Sequence, residues 1–197
     1  MGAPTLAGIL NLLWDQPANA EWKPKVSAVA LAQIKDWMTS PDIEVLGLVC
    51  STINERRFRI EPELSLEEYV DFYKLYYGRC MRENPDGKWS DSRWSAGATL
   101  VNLIASMWRH DGVPRSVLEG WKHWLAEQYR NGSEDIRTCI VQATLEHLLE
   151  QEHFREFFAD WKKDPVLKHA YDEASLWHQG GGDTPLGKPP SRKKRSR

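Results

Sequence analysis

Carboxylates crowd one short stretch of this 197-residue chain: Glu61, Glu63, Glu67, Glu68 and Asp71 fall within eleven residues. Such a set attracts a basic partner, because complementary charge speeds encounter and rejects wrong partners. It also suits a helix start, where the macrodipole stabilises carboxylates, and Glu68 stands three residues after Ser65 in capping-box spacing. Glu68 is therefore assigned to the cap, and Glu61, Glu63, Glu67 and Asp71 are the first candidates for partner binding. The second set is Trp89, Asp91 and Arg93, in the segment Lys88–Trp94 beside the turn residues Asn84-Pro85-Asp86-Gly87. Aromatic and charged residues on a loop carried by a rigid scaffold serve recognition, and equally serve as helix cap and Trp anchor. A third set, Arg192, Lys193, Lys194, Arg195 and Arg197, could contact phosphates. With no stacking platform or groove-entering helix beside it, that tract would bind nucleic acid without sequence preference.

Other chemistries find no pattern. His110, His123, His147, His153, His169 and His178 include no pair four residues apart, and Glu150 with His153 makes a single ExxH, so no metal site is expected. There is no GxSxG elbow, and Gly180–Gly182 has no helix behind it to hold a phosphate, so neither catalytic nor cofactor-binding residues are expected. Cys50, Cys80 and Cys139 are odd in number and widely spaced, which fits free thiols in a reducing cytoplasm. No apolar run reaches the 18 or so residues of a membrane span. Leu6–Trp14 is apolar, but the first basic residue is Lys23, so it lacks the positive n-region of a secretory signal.

Charge divides the chain. Residues 179–197 hold six basic side chains against Asp183 alone, and the remainder holds 20 basic and 27 acidic residues, a balance of −7. The body should repel nucleic acid and favour a cationic partner, and the tail should do the reverse.

The elements that must position these residues read as helices throughout. Leu6, Ile9, Leu10 and Leu13 form one stripe, and after Pro24 come Val26, Val29, Ile34 and Trp37. Ser40-Pro41 opens a helix through Ile43, Leu46 and Val49. The capping box at Ser65, with Leu64 and Tyr69 as a staple, leads into Tyr69, Phe72, Tyr73, Tyr76 and Cys80. Ser90 or Asp91 should cap the longest uncharged helix, burying Trp94, Ala98, Val101, Ile104, Ala105 and, most deeply, Trp108. Then follow Val117, Trp121, Trp124 and Leu125; Ser133 capping Ile136, Ile140 and Ala143; Phe154, Phe157, Phe158 and Trp161; and a helix opened by Asp164-Pro165 through Leu167, Ala170, Tyr171 and Ala174. Only Arg57–Ile60 hints at a strand, and it is too short to matter. Ten Trp residues imply a helical core built on Trp; the alternative reading is that one or two of them form a ligand-facing aromatic patch. The starts pair into hairpins about every 40 residues, the scale of HEAT repeats. The expected fold is all-α: an irregular HEAT-like stack of about nine antiparallel helices in one domain, 1–178, followed by a disordered basic tail, 179–197.

Residues 89–174, above all the run LEHLLEQ…FREFF…DWKKDPVL, resemble a broad family of bacterial all-helical proteins, often immunity or accessory proteins of polymorphic-toxin systems. The shared features are caps, apolar stripes and the helix-starting Pro165, so the resemblance transfers no site. It implies a non-enzymatic protein that binds one protein partner, such as a basic toxin domain, by covering it. The rival expectation is a nucleic-acid-associated accessory protein acting through the tail.

Overall fold

The computed structural model describes residues 27–54 and 58–179. The stripe at Leu6–Leu13, Val26 and the basic tail lie outside the described residues. Two short strands open the described chain. β1 (Ser27–Ala30) pairs in parallel with β2 (Phe58–Glu61), in a register that sets Ser27 against Phe58 and Ala30 against Glu61. The helix expected after Pro24 therefore begins later, as α1 (Leu31–Met38). Residues through Ala30 place their backbone hydrogen bonds in a ladder with the segment dismissed as too short, and a chain cannot satisfy ladder and helix at once. Ile34 and Trp37 are buried, as their spacing requires.

Helices account for nearly everything else. α2 (Ile43–Asn54) buries Val45, Leu46, Gly47, Leu48, Val49, Cys50 and Thr52, so it is enclosed on almost every side. An apolar helix without a polar face belongs inside. Its cap is Asp42, whose Oδ1 accepts from the Glu44 N–H at 2.9 Å; Ser40, the expected cap, instead accepts from the Asp42 N–H. α3 (Leu66–Glu83) opens with the expected capping box: Ser65 Oγ accepts from Glu68 N–H at 3.2 Å, and Glu68 Oε2 accepts from Ser65 N–H at 3.0 Å. It ends at Asn84, whose φ of 45° is the left-handed cap that Asn tolerates. Arg79 ties α3 to the entry of α2, donating to the Pro41 carbonyl at 3.0 Å.

α4 (Arg93–Arg109) is capped by Ser92, not by Ser90 or Asp91, and it buries a different face from the expected one. Ala96, Gly97, Leu100, Ile104 and Met107 are buried; Trp94 is 48% exposed, Ala98 is exposed and Trp108 is only half-buried. The selecting contact is Gly97. A Cβ there would stand 2.7 Å from the Ala143 Cβ and 3.0 Å from the Cys139 sulfur, so only glycine lets the neighbouring helix approach this closely. Thr144 Oγ1 then donates to the Gly97 carbonyl at 3.0 Å.

α5 (Arg115–Asn131) follows the turn at residues 111–114. α6 runs as an α-helix over Glu134–Cys139, as a π-helix over Ile140–Leu145 and as an α-helix again over Glu146–Leu149. Ser133 sits at its N-cap without a side-chain cap bond. α7 (Glu152–Phe157) continues into a 3-10 turn, Ala159–Lys163, and Phe154, Phe157, Phe158 and Trp161 are all buried. α8 (Leu167–Gln179) starts where Asp164 Oδ1 accepts from the N–H groups of Val166 and Leu167 at 2.9 and 3.0 Å. The described residues thus hold eight helices and one strand pair, and none of the helices is long and apolar enough to cross a membrane.

Candidate partner-binding surface

The first candidate set is a surface. Glu61 ends β2, Glu63 lies in the connection to α3, and Glu67 and Asp71 stand one helical turn apart on the open side of α3; all four are exposed. Glu68 is drawn aside, capping Ser65 and pairing with Lys35 of α1, and these hydrogen bonds hold its carboxyl below the usual range. The line Glu67, Asp71, Leu75 continues along α3 at intervals of four residues, and Leu75 is 47% exposed. Leu66, at 36%, flanks it. Exposed leucines thus stand beside exposed carboxylates on this side of α3, and long-range charge of that kind acts on encounter rate.

The second set is engaged within the molecule. Trp89 is half-buried; its N–H donates to Glu44 Oε2 at 2.8 Å, and Ser90 donates to the same carboxylate through both N–H and hydroxyl. Burial pushes the Glu44 carboxyl up, but these donors outweigh it and hold it below its ordinary value. Asp91 exchanges two hydrogen bonds with Tyr76: the Asp91 N–H donates to the phenol at 2.8 Å, and the phenol donates to Oδ2 at 3.0 Å. Burial raises the Asp91 carboxyl, and the Tyr76 bond only partly offsets this. Arg93 donates to the Met81 carbonyl at 2.7 Å and pairs with Asp135 at 3.1 Å. These residues lock the α3–α4 connection onto α2, where Gly47 leaves room: a Cβ there would fall 2.1 Å from the Trp89 carbonyl oxygen. The two sets do not merge into one patch, since about 15 Å of helix separates Asp71 from Met81, where Arg93 attaches.

Two groupings escaped the sequence reading. One is a polar network inside the α2–α3 pair. Tyr73 donates to Asn54 Oδ1, Cys50 sulfur lies 3.6 Å from the Tyr77 phenol, and Asn54 donates to that sulfur at 3.7 Å. Burial raises all three phenols, Tyr73, Tyr76 and Tyr77, and pushes the thiols of Cys50 and Cys80 up to about 12 and that of Cys139 to about 11. Thiols held protonated this far are poor nucleophiles. The other is Lys122, a buried cation whose amine reaches Glu119 at 2.9 Å, Asp160 at 3.1 Å and the Phe157 carbonyl at 3.2 Å, above the Phe157 ring. It borders a shallow cleft of about 360 Å³ floored by Trp161 and Leu167. Its signal was present: Leu118, Trp121, Lys122, Leu125, Ala126 and Tyr129 share one buried stripe, and a lysine in such a stripe needs acceptors. Among the described residues, no three His, Cys, Asp or Glu side chains converge as metal ligands. Comparison of the chain with protein-family models, curated proteins and solved structures returns no match.

Proposed function

We propose that this protein works by binding, holding one basic protein partner against the acidic face at Glu61, Glu63, Glu67 and Asp71 while the helices behind it stay rigid. The supporting observation is the α3 stripe, where Glu67 and Asp71 lead directly into the exposed Leu75. An immunity protein of a toxin system acts in this way: it covers the toxin's active site with a fixed surface and performs no chemistry. The helix-on-helix architecture, which we take as HEAT-like from the spacing of the helix starts, supplies such rigidity, and the −7 balance of the body attracts a basic domain such as a nuclease. Three free, buried cysteines suit a cytoplasmic protein.

The test is association with a basic toxin domain encoded by the neighbouring gene, followed at two salt concentrations. Charge reversal by Glu63→Lys with Glu67→Lys, which leaves Glu68 to its cap, should slow association by about tenfold at low salt, and by much less at high salt, because exposed charge acts through encounter and is screened. Unchanged association at both salts would remove this surface from the proposal. Binding to duplex or single-stranded nucleic acid instead of the toxin domain, lost when Arg192–Arg197 are deleted, would replace the proposal with the accessory role.

A further inference from the structure

The stretch of α5 from Lys122 to Arg130 forms one wall of the cleft beside Trp161, and the chain from Asp160 to Leu167 forms the other. Ion pairs cross the cleft at both ends. At one end the Lys122 amine reaches Asp160 at 3.1 Å, and at the other Arg130 reaches Asp164 at 2.7 Å. The helix between them holds these two bridges about 12 Å apart. Midway along it stands Ala126, whose single methyl leaves the space open, and Trp161 and Leu167 complete an apolar floor. The cleft is therefore a trough, closed by charge at its ends and apolar at its base. Its volume of about 360 Å³ falls within the range of small-molecule sites, about 300–1,000 Å³.

The charges around the trough do not cancel. Arg115, Lys122 and Arg130 answer Glu119, Asp160 and Asp164 in ion pairs. The Lys122 amine spends its protons on Glu119, Asp160 and the Phe157 carbonyl, so it fixes the wall and has none left for a ligand. Lys163 is the remainder. It lines the trough, it is exposed, and its side chain makes no ion pair or hydrogen bond among the described residues; the same holds for His123 on the opposite wall. One positive charge is thus in surplus on a body whose balance is −7, so the trough locally reverses the surrounding field. A bare inorganic anion would answer Lys163 and leave the floor uncovered, whereas a hydrocarbon would cover the floor and leave the charge unanswered. A carboxylate on a ring or a short aliphatic chain does both. We propose that this trough is a site for a small free organic carboxylate, its anionic end at Lys163 and its apolar body over Ala126 and Leu167, separate from the acidic face of α3.

Benzoate is the probe, titrated into the isotopically labelled full-length chain and followed through its amide resonances. A ligand of about nine heavy atoms in an open site should bind with a Kd of about 1 mM. The amides of residues 122–130 and 160–167 should shift together, and those of α3 should stay in place. Lys163→Glu changes an exposed residue and reverses the surplus charge, so it should weaken benzoate by about tenfold and admit benzylammonium instead. Ala126→Leu fills the middle of the trough and should weaken benzoate by about as much; Lys163→Glu carries the test alone if that buried substitution disturbs the fold. Inorganic phosphate should bind the unaltered chain about tenfold more weakly than benzoate, since it leaves the floor bare. The proposal is overturned by the absence of any shift up to about 20 mM benzoate, or by shifts scattered outside the two walls. Phosphate binding as tightly as benzoate, or benzoate binding unchanged in a folded variant, overturns it equally.

Discussion

The core is built in two different ways at its two ends. Between α2 and α3 it is a block of phenols: Tyr69 meets Tyr73 edge-on, Tyr73 stacks on Tyr77 and Tyr77 lies tilted against Tyr76, with centroids 4.3 to 5.5 Å apart, and their oxygens meet Asn54, Cys50 and Asp91. Around α7 it is chiefly aromatic hydrocarbon: Phe157, Phe158 and Trp161 pack edge-to-face, Phe154 lies tilted against Trp108, Trp108 stacks on His153, and the Arg115 guanidinium lies over both Trp108 and Phe157. The first block positions its neighbours by hydrogen bonds, which have direction. The second positions them chiefly by shape, with the Lys122 amine and the Arg115 guanidinium at its edge. The loop carrying Trp89–Arg93 is attached to the first block, which is why small polar changes there should be felt at a distance while small apolar ones should not.

The largest effect should come from volume. Phe154 is fully buried against Trp108, and Phe154→Ala should cost about 3–5 kcal/mol, as large aromatic truncations do. Chemical denaturation read by far-ultraviolet circular dichroism measures it; a cost below that of a single methylene would mean that this end of the core collapses freely and that shape does not govern it. Tyr76→Phe keeps the volume and removes one oxygen. It strands the Asp91 N–H and one carboxylate acceptor, so the expected cost is about 1–3 kcal/mol. A neutral result would show that water replaces the phenol and would erase the contrast between the two ends.

The smallest effect is a difference in sign. Asp91 titrates above its ordinary 3.8 in the folded chain, and Glu44 below its ordinary 4.5, although both clamp the same loop. For Asp91 the folded state holds a proton that the unfolded state has released, so stability falls as pH rises from 3.8 through the raised folded value. For Glu44 the unfolded state holds the extra proton, so its contribution is complete above 4.5 and is lost as pH falls through the lowered folded value. Urea midpoints measured across the acid range should show the wild type losing ground to Asp91→Asn as pH rises, and losing ground to Glu44→Gln as pH falls. Parallel curves for the two variants would mean that one environment, not two, surrounds the loop.

Much of this was legible in the residues, for local reasons. Ser65 with Glu68, Asp164 before α8 and the phenol stripe of α3 are decided within one or two turns of chain. The errors share the opposite cause. α4 is apolar on both sides, so periodicity favoured the face with the larger side chains, Trp94 and Trp108, whereas contact with a helix 46 residues away at Gly97–Ala143 favoured the face with the smallest. β1 was read as helix because its partner strand lies 31 residues on. Of the candidate surface, the exposure of the acidic set and the diversion of Glu68 followed from sequence spacing. The engagement of Trp89, Asp91 and Arg93 did not, because Glu44, Tyr76 and Asp135 reach them only through the tertiary fold.

The π-helical stretch of α6 turns one rod into two with different phase. A π-turn holds more residues than an α-turn, so across Ile140–Leu145 the side chains lag behind regular winding by about one residue. Cys139, Ala143 and Thr144 can therefore face α4, while Leu148 and Leu149, which uninterrupted winding would have rotated further round, are buried against their own neighbours. Ile140–Leu145 and Glu146–Leu149 meet the same two helices, α4 and α8, but present side chains to them in a different phase. The length of that segment, counted in single residues, sets the angle at which everything downstream of Glu146 meets the rest of the molecule.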